Sequence, residues 1–308
     1  MGVWIDTDMG FDDMLAVAIV SQSDLVIDGV SLVFGNAPLE FVKDNAARAV
    51  AAFGWSFPVH AGRARSTLGK IETAQRILGE NGIPTTGGTL PEAKPLPHSD
   101  AFTALSRWLE ETPEGETRRI LALGPLTNIA ALALARPDLA RRISDLTWMG
   151  GGVTSGNHTP SAEFNAYADP EALAIVLASG IPLRMVDLDI CRKVLVEPSA
   201  ALPIRAEKGR HAAALADMLA GFVDIAIKRN RPAMAIYDPI AAIAFTTPDV
   251  VRFRPAQIEV ELGGLLTRGR TVVDSRPSAA FNAEVANTIG VERARTMTLE
   301  ALRREAAR

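Results

Sequence analysis

One cysteine in 308 residues leaves almost no room for sulfur chemistry. Cys191 has no partner for a disulfide within the chain, and a thiolate metal centre is excluded with it. Histidine is nearly as scarce. The four residues His60, His98, His158 and His211 are scattered along the chain, which argues against a histidine-based zinc site. Any metal bound here should therefore be held by oxygen. No apolar run reaches the ~20 residues that a membrane span needs, and no basic segment leading into an apolar stretch opens the chain. A cytoplasmic protein without a membrane partner is expected. Met1-Gly2 meets half of a myristoylation signal, but Asp6 stands where Ser or Thr is required. Surplus positive charge is missing as well: 32 Lys and Arg against 36 Asp and Glu give a net charge of −4, no electrostatic footprint for a nucleic acid polymer.

What the chain does have is apolar residue. Hydrophobic side chains make up 48% and charged ones 22%, enough for a large core and against disorder. Short apolar runs over 3–5, 30–34, 120–123, 146–149 and 183–188 read as buried strands, bounded by Gly, Pro or Asp. Helical spacing marks 14–20, 39–53, 128–135, 169–179 and 211–227. This alternation predicts an α/β fold: an open, mostly parallel, doubly wound (Rossmann-like) sheet with helices on both faces. Residues 257–261 and 271–273, parted by glycines, add a small antiparallel extension. Residues 62–99, rich in Gly, Pro and Thr, suit a long loop or lid. No linker or repeat interrupts the chain, so residues 1–308 are expected to form one domain.

The first strand runs into Asp6-Thr7-Asp8-Met9-Gly10-Phe11-Asp12-Asp13. Four carboxylates within eight residues cannot face one another in a low dielectric without a compensating cation. Ligands of open α/β sheets gather outside the carboxyl ends of the strands, and this run lies there. A solvated acidic loop is the plainer alternative. An EF-hand opening at Asp6 fails on spacing, because Phe11 and Val17 occupy the positions of its Gly and Glu. A Mg²⁺-dependent phosphatase of the aspartyl-phosphate type would place Thr two residues beyond Asp8, where Gly10 stands.

The run DTDMGFDDMLAVAIV resembles the N-terminal signature of the inosine–uridine nucleoside hydrolases. The resemblance continues in order through Val33-Phe34-Gly35-Asn36, Ala122–Asn128, Met149–Gly152, Gly156-Asn157, Ala162–Asn165 and Tyr237-Asp238-Pro239, spanning roughly residues 3–245. It implies a Ca²⁺-dependent hydrolase that splits the N-glycosidic bond of a ribonucleoside, working as a homo-oligomer. Residue by residue, it implies that Asp8, both oxygens of Asp13, the backbone carbonyl of Thr127 and Asp238 hold the metal, with Asp6 behind them. Asp8 would also be the general base. Asp12, Asn36, Asn165 and Asp238 would grip the 2′ and 3′ hydroxyls, and Asn157 and Glu163 the 5′ hydroxyl.

Taken singly, each residue has a blander use. Asn36 suits a turn, and Thr127 or Asn128 suits a helix cap. Glu163 and Asn165 suit a polar loop, and Asp238-Pro239 a helix start. The ordered set carries the argument. The chain also departs from the resemblance. Where family members carry a leaving-group His before Asp-Pro, this sequence has Tyr237, and a second expected His is Leu78. Tyr237 is the candidate acid, with His158 as the substitute and Lys228, Arg229 and Arg231 near the base. A catalytically weak nucleoside-binding protein is the other reading of these losses. Trp4, Trp55, Trp108 and Trp148 all look like core, not base-stacking residues.

Overall fold

The computed structural model describes residues 2–97 and 99–308; His98 lies outside the described residues. Among the described residues there are eleven strands: β1 (Gly2–Thr7), β2 (Val26–Leu32), β3 (Val59–Ala61), β4 (Arg119–Ala122), β5 (Asp145–Met149), β6 (Leu183–Val186), β7 (Leu195–Val196), β8 (Met234–Ala235), β9 (Val251–Val260), β10 (Thr271–Asp274) and β11 (Ala283–Ile289). Nine make one sheet in the order β10-β9-β11-β6-β5-β4-β1-β2-β3, and β7 pairs with β8 as a separate ribbon.

Every pair from β3 across to β11 is parallel. Only β11–β9 and β9–β10 are antiparallel, which is the expected extension. The parallel strands are apolar on both sides because helices cover both faces. In β1, Val3 and Ile5 enter one core cluster and Trp4 the other, following the two-residue alternation of a strand. Helices Phe11–Ser21, Ala212–Ile227 and Asp238–Thr246 contribute to the first cluster, and Thr127–Ala135 and Pro170–Ala178 to the second.

The chain leaves β1 for β2 and β3, then returns to the opposite side of β1 as β4. That reversal opens a crevice between the carboxyl ends of β1 and β4, the usual ligand position in such sheets. The acidic run lies at one lip and Leu123–Thr127 at the other.

Several boundaries differ from the sequence reading. The strand expected over 183–188 stops at Val186, because Asp187 accepts from the Asp189 N–H at 2.7 Å and starts the one-turn helix Leu188–Cys191. The helix expected from 169 starts at Pro170 with Asp169 as its cap, after a separate short helix Phe164–Ala168. β9 is ten residues long, twice the expected strand, and β3, β11 and helices Ala101–Glu111 and Val291–Ala306 were not foreseen. β11 reads AEVANTI, whose weak alternation hides a strand that tertiary pairing stabilises. Between β3 and helix Ala101–Glu111 the described residues hold one short helix, Gln75–Leu78, in keeping with the long loop.

Candidate active site

The turn after β1 is built by its own side chains. The Thr7 hydroxyl accepts from the Met9 N–H at 3.0 Å and donates to Asp13 Oδ1 at 2.5 Å. Asp13 Oδ2 accepts from the Gly10 N–H at 2.9 Å. Between them Met9 takes a left-handed backbone with φ of 41°, a strained conformation for a residue with a side chain. It is held by burial and by Asn45, whose amide donates to the Met9 carbonyl at 3.2 Å. The result aims Asp8 and Asp12 into the crevice and sets Asp13 at the head of helix Phe11–Ser21.

The loop after β2 closes on this turn. Asn36 donates its backbone N–H to Asp8 Oδ2 at 2.6 Å and its side-chain amide to Asp8 Oδ1 at 3.0 Å and Asp13 Oδ2 at 2.9 Å. Gly35 permits the approach, since a Cβ there would come within 2.0 Å of Asp8 Oδ2.

Asp238, at the start of helix Asp238–Thr246, completes the floor. Asp12, Asp13 and Asp238 offer carboxylate oxygens within 4.8 Å of one another. Burial, then the charge and contact of Asp13, pushes Asp8 well above the usual carboxylate range. Burial, then Asp12, Asp13 and Asp8, does the same to Asp238, and burial with Asp13 lifts Asp12 to about 7. No Lys or Arg is among the leading influences on these three groups. A dication is what such a donor set lacks, and hard carboxylate oxygens are its natural ligands. The cluster is able to hold a metal ion.

Asp6 lies behind the floor, fully buried. It accepts from the Ser31 hydroxyl and from Asn128 Nδ2, the latter at 2.7 Å, while its Oδ2 has no partner among the described residues. Burial lifts it to about 7. Asn128 thus ties β1 to the segment after β4. Thr127 is buried, but its hydroxyl donates to Asp169 at 2.7 Å, so its side chain is spent away from the cavity.

The opposite wall comes from the segment after β5. Glu163 caps helix Phe164–Ala168, accepting from the N–H groups of Gly151, Asn165 and Ala166 at 2.8 to 3.0 Å. Burial outweighs these bonds and lifts it to about 7. Asn165 donates to the carbonyls of Leu123 at 2.8 Å and Met149 at 3.0 Å, so its carbonyl oxygen is the group left for a ligand. Asn157 uses its oxygen to accept from the Phe164 N–H at 3.0 Å, which leaves its amide protons.

A cavity of about 420 Å³ joins these pieces. Eight sequence-predicted residues line it: Asp8, Asp12, Asn36, Asn157, Glu163, Asn165, Tyr237 and Asp238. Asp13 and Thr127 do not. Leu78, Phe222, Ile225 and Met234 add apolar lining, with the Phe222 ring edge-on to Tyr237 at a centroid distance of 6.5 Å. Burial pushes the Tyr237 phenol up to about 12. None of the four tryptophans lines the cavity. Its basic lining residues are Arg76, Arg229 and His158, without the lysine that aspartyl-phosphate chemistry requires.

His158 lies 3.3 Å from Glu72, with its ring tilted against that of Tyr167 at a centroid distance of 4.6 Å, and burial pushes its pKa down. Glu72, Arg76 and Ile77 bring part of the 62–99 loop to the cavity wall. The sequence reading had not singled out Glu72, Phe222 or Ile225. The spacing of Phe222, Ile225 and Arg229 along one helical face was the available signal.

The family model described as inosine-uridine preferring nucleoside hydrolase matches residues 3–296. The chain is 32% identical over 294 residues to the pyrimidine-specific ribonucleoside hydrolase RihA of Citrobacter koseri, covering 92% of this chain and 93% of that protein. It is 33% identical over 275 residues to the non-specific ribonucleoside hydrolase RihC of Shigella flexneri serotype 5b, covering 88% of each. Its fold superposes on a plant nucleoside hydrolase with a TM-score of 0.87, at 26% identity and 98% coverage of both chains. No helix of the described residues is long and apolar enough to cross a membrane. With the family model matched over nearly the whole chain and relatives above 30% identical aligned along most of their length, the chain is an enzyme of the inosine-uridine preferring nucleoside hydrolase family.

Proposed function

We propose that this enzyme hydrolyses the N-glycosidic bond of ribonucleosides to free base and ribose, with Ca²⁺ held by Asp8, both oxygens of Asp13, the Thr127 carbonyl and Asp238. One observation carries the reading: Asp12, Asp13 and Asp238 bring carboxylate oxygens within 4.8 Å of one another beside Asp8, and no Lys or Arg is among the leading influences on Asp8, Asp12 or Asp238. When bound, the ion supplies Lewis acidity that makes a water a stronger nucleophile.

The chain's own groups do the rest. Asp8, held by Asn36, accepts the proton of the attacking water as general base. Asp12, Asn36, Asn165 and Asp238 orient the 2′ and 3′ hydroxyls, and Asn165 has an acceptor oxygen free for that purpose. Asn157 and Glu163 hold the 5′ hydroxyl, and a Glu163 carboxylate stabilises the positive charge growing on the ring. The C1′–N bond breaks toward the base, whose nitrogen takes a proton from Tyr237. The phenol is protonated at neutral pH, as a donor must be. A cytoplasmic location belongs to this reading, as does assembly into a dimer or tetramer, which the family resemblance implies.

The test is release of free ribose from a panel of ribonucleosides, with and without chelator. Chelator-sensitive ribose release supports the reading and ranks the bases. Nucleoside binding without ribose release leaves a binding protein, and phosphate release from phosphate esters in Mg²⁺ leaves the phosphatase.

A further inference from the structure

The segment from Gly156 to Ala162 is a knot closed on itself. The Gly156 N–H donates to the Pro160 carbonyl at 3.0 Å, and the N–H groups of Asn157, His158 and Thr159 converge on the Ala162 carbonyl at 3.2 Å each. Gly156 is packed so tightly that a Cβ would come within 2.1 Å of the Ala162 carbonyl. Such a unit keeps its internal shape, but its orientation over the sugar depends on what ties it to the sheet.

That tie comes from the one-turn helix after β6. Arg192 donates to the Ser155 carbonyl at 3.3 Å, the Ser155 hydroxyl at 2.8 Å and the Gly156 carbonyl at 2.6 Å. Asp189, three residues earlier, accepts from the N–H groups of Val153 at 2.7 Å and Thr154 at 3.0 Å and from the Thr154 hydroxyl. Asp189 is itself fixed by the buried Asp187, which accepts its N–H. The acid grips the loop's donors and the base grips its acceptors. Arg192 ends immediately before Asn157, the residue facing the cavity.

We propose that Arg192, braced by Asp189, is the positioning residue for the ribose 5′ end: it holds the 153–157 loop so that the Asn157 amide meets the 5′ hydroxyl. The inference rests on the reading above that Asn157 binds this hydroxyl. The planar fork of Arg192 suits this role better than an ammonium would, because the acceptors lie on two successive residues. Arg192 touches no reacting atom, so its loss should appear in sugar binding.

The experiment compares p-nitrophenyl riboside with its 5-deoxy counterpart, in the Ca²⁺-supplemented enzyme. Wild type should favour the hydroxylated sugar at least tenfold in kcat/KM. Arg192→Ala should lower kcat/KM on it about tenfold, mainly through KM, and change the 5-deoxy substrate less than twofold. Millimolar guanidinium should restore part of the loss. Asn157→Ala combined with Arg192→Ala should be no worse than Asn157→Ala alone. If Arg192→Ala does not fold, Arg192→Lys carries the test, with a smaller loss confined to the hydroxylated sugar. Equal losses on both sugars, or additive losses in the double variant, overturn the positioning role while leaving the 5′ reading intact. A wild type that treats both sugars alike overturns the 5′ reading and this inference with it.

Discussion

Asn36 holds the carboxylate of Asp8 by both oxygens, with its backbone N–H on one and its side-chain amide on the other, at 2.6 and 3.0 Å. The two residues are 28 positions apart and stand on adjacent parallel strands' loops. Under the mechanism proposed above, this clamp fixes the direction of the general base before substrate arrives. Hydrogen bonds to charged groups contribute about 1.5–3 kcal/mol each. Asn36→Ala keeps the backbone bond and loses the side-chain bonds to Asp8 and Asp13. We expect kcat to fall by about 10²-fold with the melting temperature changed little. A kcat within twofold of wild type would show that the clamp is not needed.

Removing the metal should destabilise the protein. Ligand present at 100 times its Kd adds about 2.7 kcal/mol to the stability of the state that binds it. Melting curves in chelator and in saturating Ca²⁺ should differ by several degrees, and Asp13→Ala should abolish both the difference and turnover. Unchanged Ca²⁺ affinity of that variant by calorimetry would refute the ligand set.

Glu163 makes a pH dependence calculable in sign. Burial lifts its folded-state pKa to about 7, above the ordinary value near 4.5. Between these values the folded protein binds more protons than the unfolded one, so this group's contribution to stability is present below about 4.5 and is lost as pH rises through 7. Glu163→Gln should therefore lose less melting temperature than wild type between pH 5 and pH 8. Parallel losses in the two proteins would mean that Glu163 is ionised throughout.

Sugar discrimination follows from the set Asp12, Asn165 and Asp238. A site built for hydroxyls leaves buried polar groups unpaired when one is missing. Ribonucleosides should exceed 2′-deoxyribonucleosides by on the order of 10³ in kcat/KM. Comparable rates would mean that the ribose assignment is wrong.

Tyr237→Phe separates protonation from packing. If the phenol is the acid, nucleosides with poor leaving groups should slow by about 10²-fold, while p-nitrophenyl riboside, which needs no proton, should hold its rate. Equal loss on both substrates assigns Tyr237 to positioning. No loss on either directs attention to His158, which lines the same cavity.

The sequence by itself determined what is local. The Asp6–Asp13 run, with Gly10 for its turn, announced an oxygen-ligated site because its carboxylates crowd within eight residues. Apolar runs alternating with helical spacing announced the parallel sheet, since burial on both faces makes such strands apolar throughout. Scarce Cys and His argue against a thiolate or histidine-based metal site.

What no local pattern carries is which distant residues meet. Asp238 joins Asp12 and Asp13 through the packing of helices Phe11–Ser21 and Asp238–Thr246 in one core cluster, and Asn128 reaches Asp6 across 122 positions because the strand order reverses at β1 and β4. Long-range packing likewise decided that the Thr127 hydroxyl goes to Asp169 and that the 72–78 stretch lines the cavity. The hold of Arg192 on the Asn157 loop is equally tertiary, since two of its three acceptors are backbone carbonyls that have no signature in residue type. Chemistry of kind is written in composition and spacing; chemistry of place waits for long-range packing to bring the groups together.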